Sequence, residues 1–265
     1  MYKLLALDID DTLTKVPTQA PAEIIAAVNR ARAAGIRVML ATGRGYFASS
    51  CIVKQLEITE PVVNYGGSII SDPVDGHVIY STEVSNDLIH SVLNDAAELG
   101  VHAHIYQQDT VIHEKPSEYA DRYVATLGMP RVLDPDVRKK VWDNVPKILM
   151  MTTEEKAAEL IPLFQKKYEG QLKVSGSSKG FIEVNNPLSH KGEGVKWVAE
   201  HLGFSQDEVV AVGDNSLDIE MIRWAGLGCA VANAKQEVKD AADLVIPSCE
   251  EHGVAWLIDN VLLKK

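Results

Sequence analysis

The chain has 265 residues, of which 46% are hydrophobic and 24% charged, and this composition excludes a mainly disordered protein. Acidic side chains outnumber basic ones by 37 to 26, a formal net charge of −11. We therefore expect neither nucleic acid nor an anionic membrane as the main partner, because both are bound through clustered Lys and Arg. Three widely spaced cysteines, the lack of a membrane-length apolar run and aspartates from position 8 onwards predict a cytoplasmic protein with reduced thiols.

The first part of the chain alternates short apolar runs with amphipathic segments. Strands are predicted at residues 3–7, 37–41 and 61–63, with helices at 21–34 and up to residue 56. A hairpin is predicted at 68–80 around Asp75-Gly76. After Lys191 the alternation returns, with strands at 209–212, 227–231 and 244–246 and helices at 192–202, 216–224, near 239 and 253–262. Alternation of this kind is typical of a parallel sheet.

The middle of the chain follows a different pattern, in which helices mix with paired short strands. Helices are predicted at 85–99, 117–126 and 154–168, and strands at 102–107, 110–113, 147–151, 172–175 and 181–184. Paired strands joined by tight turns indicate an antiparallel sheet. The predicted fold class is α/β, with a parallel-sheet core at 1–82 and 186–265 and an inserted α+β cap domain at 83–185.

Polar residues follow the predicted core strands at the points where they end. One strand ends in Asp8-Ile9-Asp10, the next in Thr42-Gly43-Arg44, and a later one in Gly213-Asp214-Asn215. Ligands of open parallel sheets bind beyond the carboxyl ends of the strands, so we expect these residues to share one edge. Lys191, at a predicted helix start, could join them.

Asp8 and Asp10 point to phosphoryl transfer. A carboxylate can attack phosphorus, and two adjacent carboxylates are compatible with one another when a cation offsets their charge. Oxygen ligands favour Mg²⁺, for which Asp214 would be a third donor, and Asp10 could serve as acid and then base. The alternative, that each aspartate caps a helix or turn, accounts for any one of them more readily than for all three.

Thr42, Gly43 and Lys191 have the chemistry of a phosphate site. A hydroxyl and main-chain N–H groups at a helix start bind phosphate oxygens, and Gly43 permits close approach. Lys191 would supply a fixed positive charge. Thr42 could equally be a plain helix cap, and Arg44 could contact either an anionic substrate or an acidic neighbour. His102 and His104 have no third ligand at a suitable spacing, so we expect them to face solvent or the cap helices rather than a metal.

Four motifs in order give the chain a clear resemblance to the haloacid dehalogenase superfamily, specifically its Cof-type phosphatases with a class IIB cap. They are Asp8-Ile9-Asp10-Asp11-Thr12, Ala41-Thr42-Gly43-Arg44, Lys191-Gly192, and Gly213-Asp214-Asn215-Ser216-Leu217-Asp218. The resemblance covers nearly the whole chain and implies a Rossmann-like core, Mg²⁺ and hydrolysis of small phosphate esters.

By this resemblance, Asp8 is the nucleophile and a metal ligand, and Asp10 is the acid/base with its carbonyl on the metal. The Ile9 amide, Thr42, Gly43 and Lys191 would hold the phosphate. Asp214 and Asn215 would complete the Mg²⁺ site. The sequence departs from the family at Asp11, where Gly is commonest, at Leu217, where Asn is usual, and at Gly66-Gly67, where Asn-Gly is common.

The leading hypothesis is a Mg²⁺-dependent phosphatase of small phosphorylated metabolites, with sugar phosphates as the expected class, acting through an aspartyl-phosphate intermediate. Arg44 and Asn185 are its candidate substrate contacts, and we expect a monomer or weak homo-oligomer. A phosphomutase of the same fold and a non-catalytic metabolite-binding protein are the alternatives, the latter because Leu217 removes a polar contact.

Overall fold

The computed structural model describes residues 2–176 and 179–264. The chain divides into two compact units, one formed by Met1–Tyr80 with His190–Lys265 and the other by Ser81–Ser189. The boundaries expected from the sequence, after residues 82 and 185, lie two and four residues from these divisions. No helix in the described ranges is long and apolar enough to cross a bilayer.

The strands and helices are named in chain order. The strands are β1 (Leu4–Leu7), β2 (Arg37–Leu40), β3 (Val62–Asn64), β4 (Ile69–Ser71), β5 (Val78–Ser81), β6 (His102–Gln107), β7 (Thr110–His113), β8 (Arg131–Leu133), β9 (Lys147–Met151), β10 (Lys173–Gly176), β11 (Phe181–Asn185), β12 (Val209–Gly213), β13 (Leu227–Val231) and β14 (Leu244–Ile246). The helices are α1 (Ala22–Ala33), α2 (Tyr46–Gln55), α3 (Asn86–Glu98), α4 (Glu118–Leu127), α5 (Glu154–Lys167), α6 (Lys191–His201), α7 (Ile219–Trp224), α8 (Gln236–Lys239) and α9 (Gly253–Leu257).

A parallel sheet in the order β14-β13-β12-β1-β2 forms the centre of the first unit. Its strands are apolar apart from the exposed Arg37 at the start of β2, because both faces of the sheet are covered. Leu5 and Leu7 pack against one layer that includes α1, whereas Leu4 and Ala6 pack against the layer that includes α6. Leu7 lies opposite Leu40 of β2 and Val212 of β12, so all three strands end at one edge of the sheet.

The strand β3 differs from its prediction. It was expected as a third parallel strand, but it joins β2 through a single isolated bridge between Ala41 and Val63. Its main pairing is antiparallel with β4, in a separate three-stranded sheet ordered β3-β4-β5. The predicted hairpin at 68–80 is confirmed by β4 and β5, with the Asp72 amide donating to the His77 carbonyl at 2.9 Å. The local sequence pattern therefore predicted the strand β3 but not its pairing with β4.

The second unit contains a six-stranded sheet in the order β10-β11-β9-β6-β7-β8. Its described pairings are antiparallel except for β7 with β8, and α3 and α5 pack against its apolar core. This confirms the predicted α+β organisation. The sequence analysis missed β8, whose three residues are too few to show a periodic pattern and are all exposed.

His102 and His104 lie in a buried cluster with His113 on adjoining strands. The His102 Nε2 and His104 Nδ1 atoms are 3.0 Å apart, and their rings lie against Tyr119 and Tyr123 of α4. The expectation that they face a cap helix is confirmed, whereas exposure to solvent is wrong for His104, which is wholly buried. Burial lowers the pKa of His102 to about 4, with a smaller contribution from His113.

Candidate active site

Asp8 and Lys191 form a buried ion pair at the edge where the core strands end. Asp8 follows β1 and is 2% exposed, and Lys191 opens α6 and is 1% exposed. The Lys191 Nζ donates to Asp8 Oδ1 at 2.6 Å. Burial raises the pKa of the Asp8 carboxyl well above its ordinary value, and the Lys191 charge opposes this rise. Lys191 therefore favours the ionised carboxylate that a nucleophile requires.

Asp218 braces Lys191 from the opposite side, and sequence analysis assigned it no role. This wholly buried residue accepts from Lys191 Nζ through Oδ1 at 2.5 Å. Its Oδ2 accepts the amides of Asp214 and Asn215, each at 3.0 Å. Burial alone would lower the pKa of Lys191, but the charges of Asp218 and Asp8 outweigh it and raise that pKa. The signal in the sequence was a second aspartate in the Gly213–Asp218 motif, which could pair with Lys191 as Asp8 does.

Two glycines allow the backbone to approach this brace closely. A Cβ at Gly213 would lie 2.3 Å from the Asp218 Cβ, so any larger residue would displace Asp218. Gly67 has φ +110°, and a Cβ there would lie 2.2 Å from the carbonyl oxygen of His190, next to Lys191. Both positions need glycine to keep the lysine and its partners in place.

Asp214 is half-buried at the end of β12. Thr12 donates its hydroxyl to Asp214 Oδ1 at 3.1 Å. Burial, reinforced by the charge of Asp218, raises the pKa of Asp214 to about 6. Asn215 lies beside it, but its Oδ1 accepts the Leu217 amide at 2.9 Å and so caps the turn at Ser216–Asp218.

The carboxylates fit a hard divalent cation. Oxygen atoms of Asp8, Asp214 and Asp218 lie within 4.8 Å of one another. Both oxygens of Asp218 already accept hydrogen bonds, Oδ1 from Lys191 and Oδ2 from the main chain. The Oδ2 of Asp8, in contrast, is buried and has no hydrogen-bond partner among the described residues. Asp8 and Asp214 thus present the oxygen donors that Mg²⁺ prefers, and a cation there would satisfy the unpaired oxygen.

The Thr42-Gly43 segment is a loop rather than the helix start that we predicted. The helix α2 begins at Tyr46 with Gly45 as its N-cap, so the phosphate-binding role cannot rest on its first turn. Thr42 is wholly buried and its Oγ1 accepts the Arg44 amide at 3.1 Å, whereas Gly43 is exposed. Ile9 buries its side chain completely, which leaves only its main chain for a phosphate contact.

Arg44 contacts the acidic neighbour, the second of the two possibilities that the sequence left open. Its Nε donates to Asp10 Oδ2 at 2.8 Å and its Nη2 to Asp10 Oδ1 at 2.5 Å. Asn185, the other candidate substrate contact, ends β11 in the second unit opposite Lys147 and Lys173, and its role stays a prediction.

Comparison with known proteins identifies the family. The family model described as haloacid dehalogenase-like hydrolase matches residues 5–258. The chain belongs to the haloacid dehalogenase-like hydrolases. The protein YxeH of Bacillus subtilis (strain 168) is 30% identical over 273 residues, covering 100% of both chains. The 5-amino-6-(5-phospho-D-ribitylamino)uracil phosphatase YitU of the same organism is 25% identical, covering 95% of this chain and 94% of its own.

Solved structures show the same fold. The subclass IIB sugar phosphatase BT4131 of this superfamily superposes with a TM-score of 0.78 at 24% identity, covering 97% of this chain and 98% of its own. The resemblance inferred from the four motifs is therefore confirmed. As a haloacid dehalogenase-like hydrolase with full-length phosphatase relatives, the chain is an enzyme of the phosphatase type.

Proposed function

We propose that this chain is a Mg²⁺-dependent phosphatase that hydrolyses small phosphate esters through an aspartyl phosphate on Asp8. The observation that carries the proposal is the state of the Asp8 carboxylate. One oxygen is fixed by Lys191 at 2.6 Å, and the other is buried, with no hydrogen-bond partner in the part of the chain that the structure describes, at the edge where β1, β2 and β12 end. A buried carboxylate that is paired with a lysine through one oxygen and leaves the other oxygen open is arranged to attack an electrophile.

The residues supply both halves of the reaction. An Asp8 oxygen forms a bond to phosphorus while the bond to the alcohol oxygen breaks, and Asp10 passes a proton to that oxygen. Asp10 then takes a proton from water as the water oxygen attacks phosphorus and the Asp8–phosphorus bond breaks. Lys191, held between two carboxylates, stabilises negative charge next to the reacting group throughout.

Mg²⁺ would be held by Asp8 and Asp214, with Asp10 contributing its carbonyl and Asn215 acting directly or through water. When bound, it supplies positive charge that offsets the acidic cluster and the phosphate. Thr42, Gly43 and the Ile9 amide would contact the phosphate oxygens, together with Lys191.

We propose a sugar or sugar alcohol as the alcohol part of the substrate. Support comes from YitU, whose name specifies a phosphate ester on a ribityl chain. A net charge of −11 supports a small-molecule partner rather than nucleic acid or membrane, and unpaired Cys51, Cys229 and Cys249 support a cytoplasmic location. We propose a monomer or weak homo-oligomer.

Phosphate release from p-nitrophenyl phosphate and from a panel of sugar phosphates, with Mg²⁺ or with EDTA, tests this function. Asp8→Asn should abolish release, and acid-quenched wild-type protein should carry the mass of one phosphoryl group on Asp8. Asp240→Asn, at an exposed position on the same unit, is the matched control and should retain full activity. Isomerised hexose phosphate without free phosphate would identify a mutase instead.

A further inference from the structure

The Asp10 carboxylate is held in a bidentate contact with Arg44, although half of the Asp10 side chain is exposed to solvent. The Asp10 side chain is 52% exposed, and each of its oxygens accepts one hydrogen bond from Arg44, at 2.8 and 2.5 Å. An exposed aspartate samples several side-chain rotamers, and ordering it costs conformational entropy. The planar guanidinium selects one orientation because two parallel bonds fix direction as well as distance.

Arg44 is itself fixed by the surrounding main chain. Its side chain is only 12% exposed, and Nη1 donates to the carbonyls of Pro17 at 2.6 Å and Ala48 at 3.0 Å. Its guanidinium therefore bonds three separate groups of the protein, the Asp10 carboxylate and two main-chain carbonyls. This arrangement differs from a substrate-binding arginine, whose donors point into open space.

The backbone of Arg44 is anchored as well. Its carbonyl accepts from Asn64 Nδ2 at 3.1 Å and from the Tyr65 amide at 2.9 Å. Asn64 is wholly buried and also bonds Ser49 and Ser71, which ties the loop to α2 and β4. The arginine is thus attached to rigid elements on two sides.

We propose that Arg44 is a positioning residue for Asp10, which directs the acid/base carboxyl towards the leaving oxygen. The inference rests on the proposed function. Arg44 makes no hydrogen bond to Asp8 or Lys191 among those described, and both of its bonds to a carboxylate go to Asp10. When Asp10 carries the proton, one of its oxygens donates to the leaving group while the other still accepts from Arg44.

The effect of losing Arg44 depends on the leaving group. Departure of a sugar alkoxide requires a proton, whereas p-nitrophenolate departs readily without one. General acid catalysis contributes roughly 10²- to 10⁴-fold, and misplacing the acid forfeits part of that. For Arg44→Met we expect kcat/KM to fall about 10- to 100-fold on ribose 5-phosphate and less than about threefold on p-nitrophenyl phosphate. The ratio kcat/KM is used because it reports formation of the aspartyl phosphate and excludes its later hydrolysis.

A double-mutant cycle separates positioning from folding. Asp10→Asn and the Asp10→Asn/Arg44→Met double variant should have equal kcat/KM on ribose 5-phosphate, because Arg44 has no further role once the acid is gone. Arg44→Lys should recover only part of the lost kcat/KM, since an ammonium cannot form the bidentate contact with Asp10. Arg30→Met removes a comparable bidentate ion pair with Asp259 on the same unit and should leave kcat/KM unchanged on both esters.

The outcomes distinguish the inference from the function on which it depends. Equal losses on both esters, or a double variant far weaker than Asp10→Asn, would overturn the positioning role while leaving the phosphatase proposal intact. A wild-type protein that releases phosphate from neither ester would contradict the proposed function and this inference together.

Discussion

Replacing Lys191 by Met should destabilise the protein strongly, because it removes the cation that separates two buried carboxylates. Lys191 Nζ lies 2.6 Å from Asp8 and 2.5 Å from Asp218, and all three side chains are at most 3% exposed. Removing one partner of a buried ion pair leaves uncompensated charge and costs about 3–5 kcal/mol. We therefore expect the free energy of unfolding to fall by about that amount in urea titrations at pH 7.5 with EDTA present.

The pH dependence of this loss is a second readout. Without Lys191, the pKa of Asp8, already raised by burial, rises further, so the folded state binds a proton that the unfolded state releases. Stability of the variant should therefore fall as pH rises, and the deficit should be smaller at pH 5 than at pH 8. Lys196→Met changes a partly exposed lysine on the same helix and should cost less than about 0.5 kcal/mol.

The charge argument would be refuted if Lys191→Met unfolded within about 0.5 kcal/mol of wild type, or if its deficit were the same at both pH values. Adding Asp218→Asn to Lys191→Met should recover part of the stability, since it removes one of the two buried carboxylates that lose their cation. A double variant less stable than Lys191→Met would indicate lost packing instead of charge repulsion.

Three further outcomes are expected. Because the pKa of Asp214 is raised to about 6, Mg²⁺ affinity measured by calorimetry should be about tenfold weaker at pH 5 than at pH 7.5, and a constant affinity would contradict a ligand with so raised a pKa. Gly213→Ala should cost about 1–3 kcal/mol in urea unfolding because its Cβ meets Asp218, whereas Gly43→Ala, with only Leu217 at 3.9 Å, should be nearly neutral; equal costs would argue against the close approach. Burial lowers the pKa of His102 to about 4 in the folded protein, whereas the unfolded residue titrates at about 6.5. Lowering the pH from 6.5 to 4 should therefore reduce the free energy of unfolding by about 3 kcal/mol, and His102→Gln should make that loss smaller.

The positions of the strands and of the catalytic candidates could be predicted because they depend on short-range rules. Apolar runs of four or five residues mark β1, β2 and β12, and parallel strands must end at a common edge. From that alone, Asp8 and Asp214 are expected near one another. The pairing of β3 with β4 instead of fully with β2 depends on the turn at Tyr65–Gly67, whose geometry the apolar pattern does not encode.

Side-chain partners were harder to predict because they join residues far apart in sequence. Asp218 belongs to the fourth motif, yet its role as the counter-charge of Lys191 follows only once α6 and the turn at Ser216–Asp218 pack together. The choice of Arg44 between substrate and Asp10 likewise depends on a contact across 34 residues. Sequence spacing shows which charges could meet, whereas packing decides which do.

Two of the three departures from the family pattern, at Asp11 and Leu217, leave the contacts of Lys191 with Asp8 and Asp218 intact. Asp11 has φ +60°, the left-handed conformation that explains why glycine is common there, and its added charge is paired with Lys15 at 2.7 Å. Leu217 is 47% exposed, so its apolar side chain changes the surface beside Gly43 and not the buried contacts of Asp218. Both differences fall on the solvent side of the site, and the ion pairs of Lys191 with Asp8 and Asp218 do not depend on either residue.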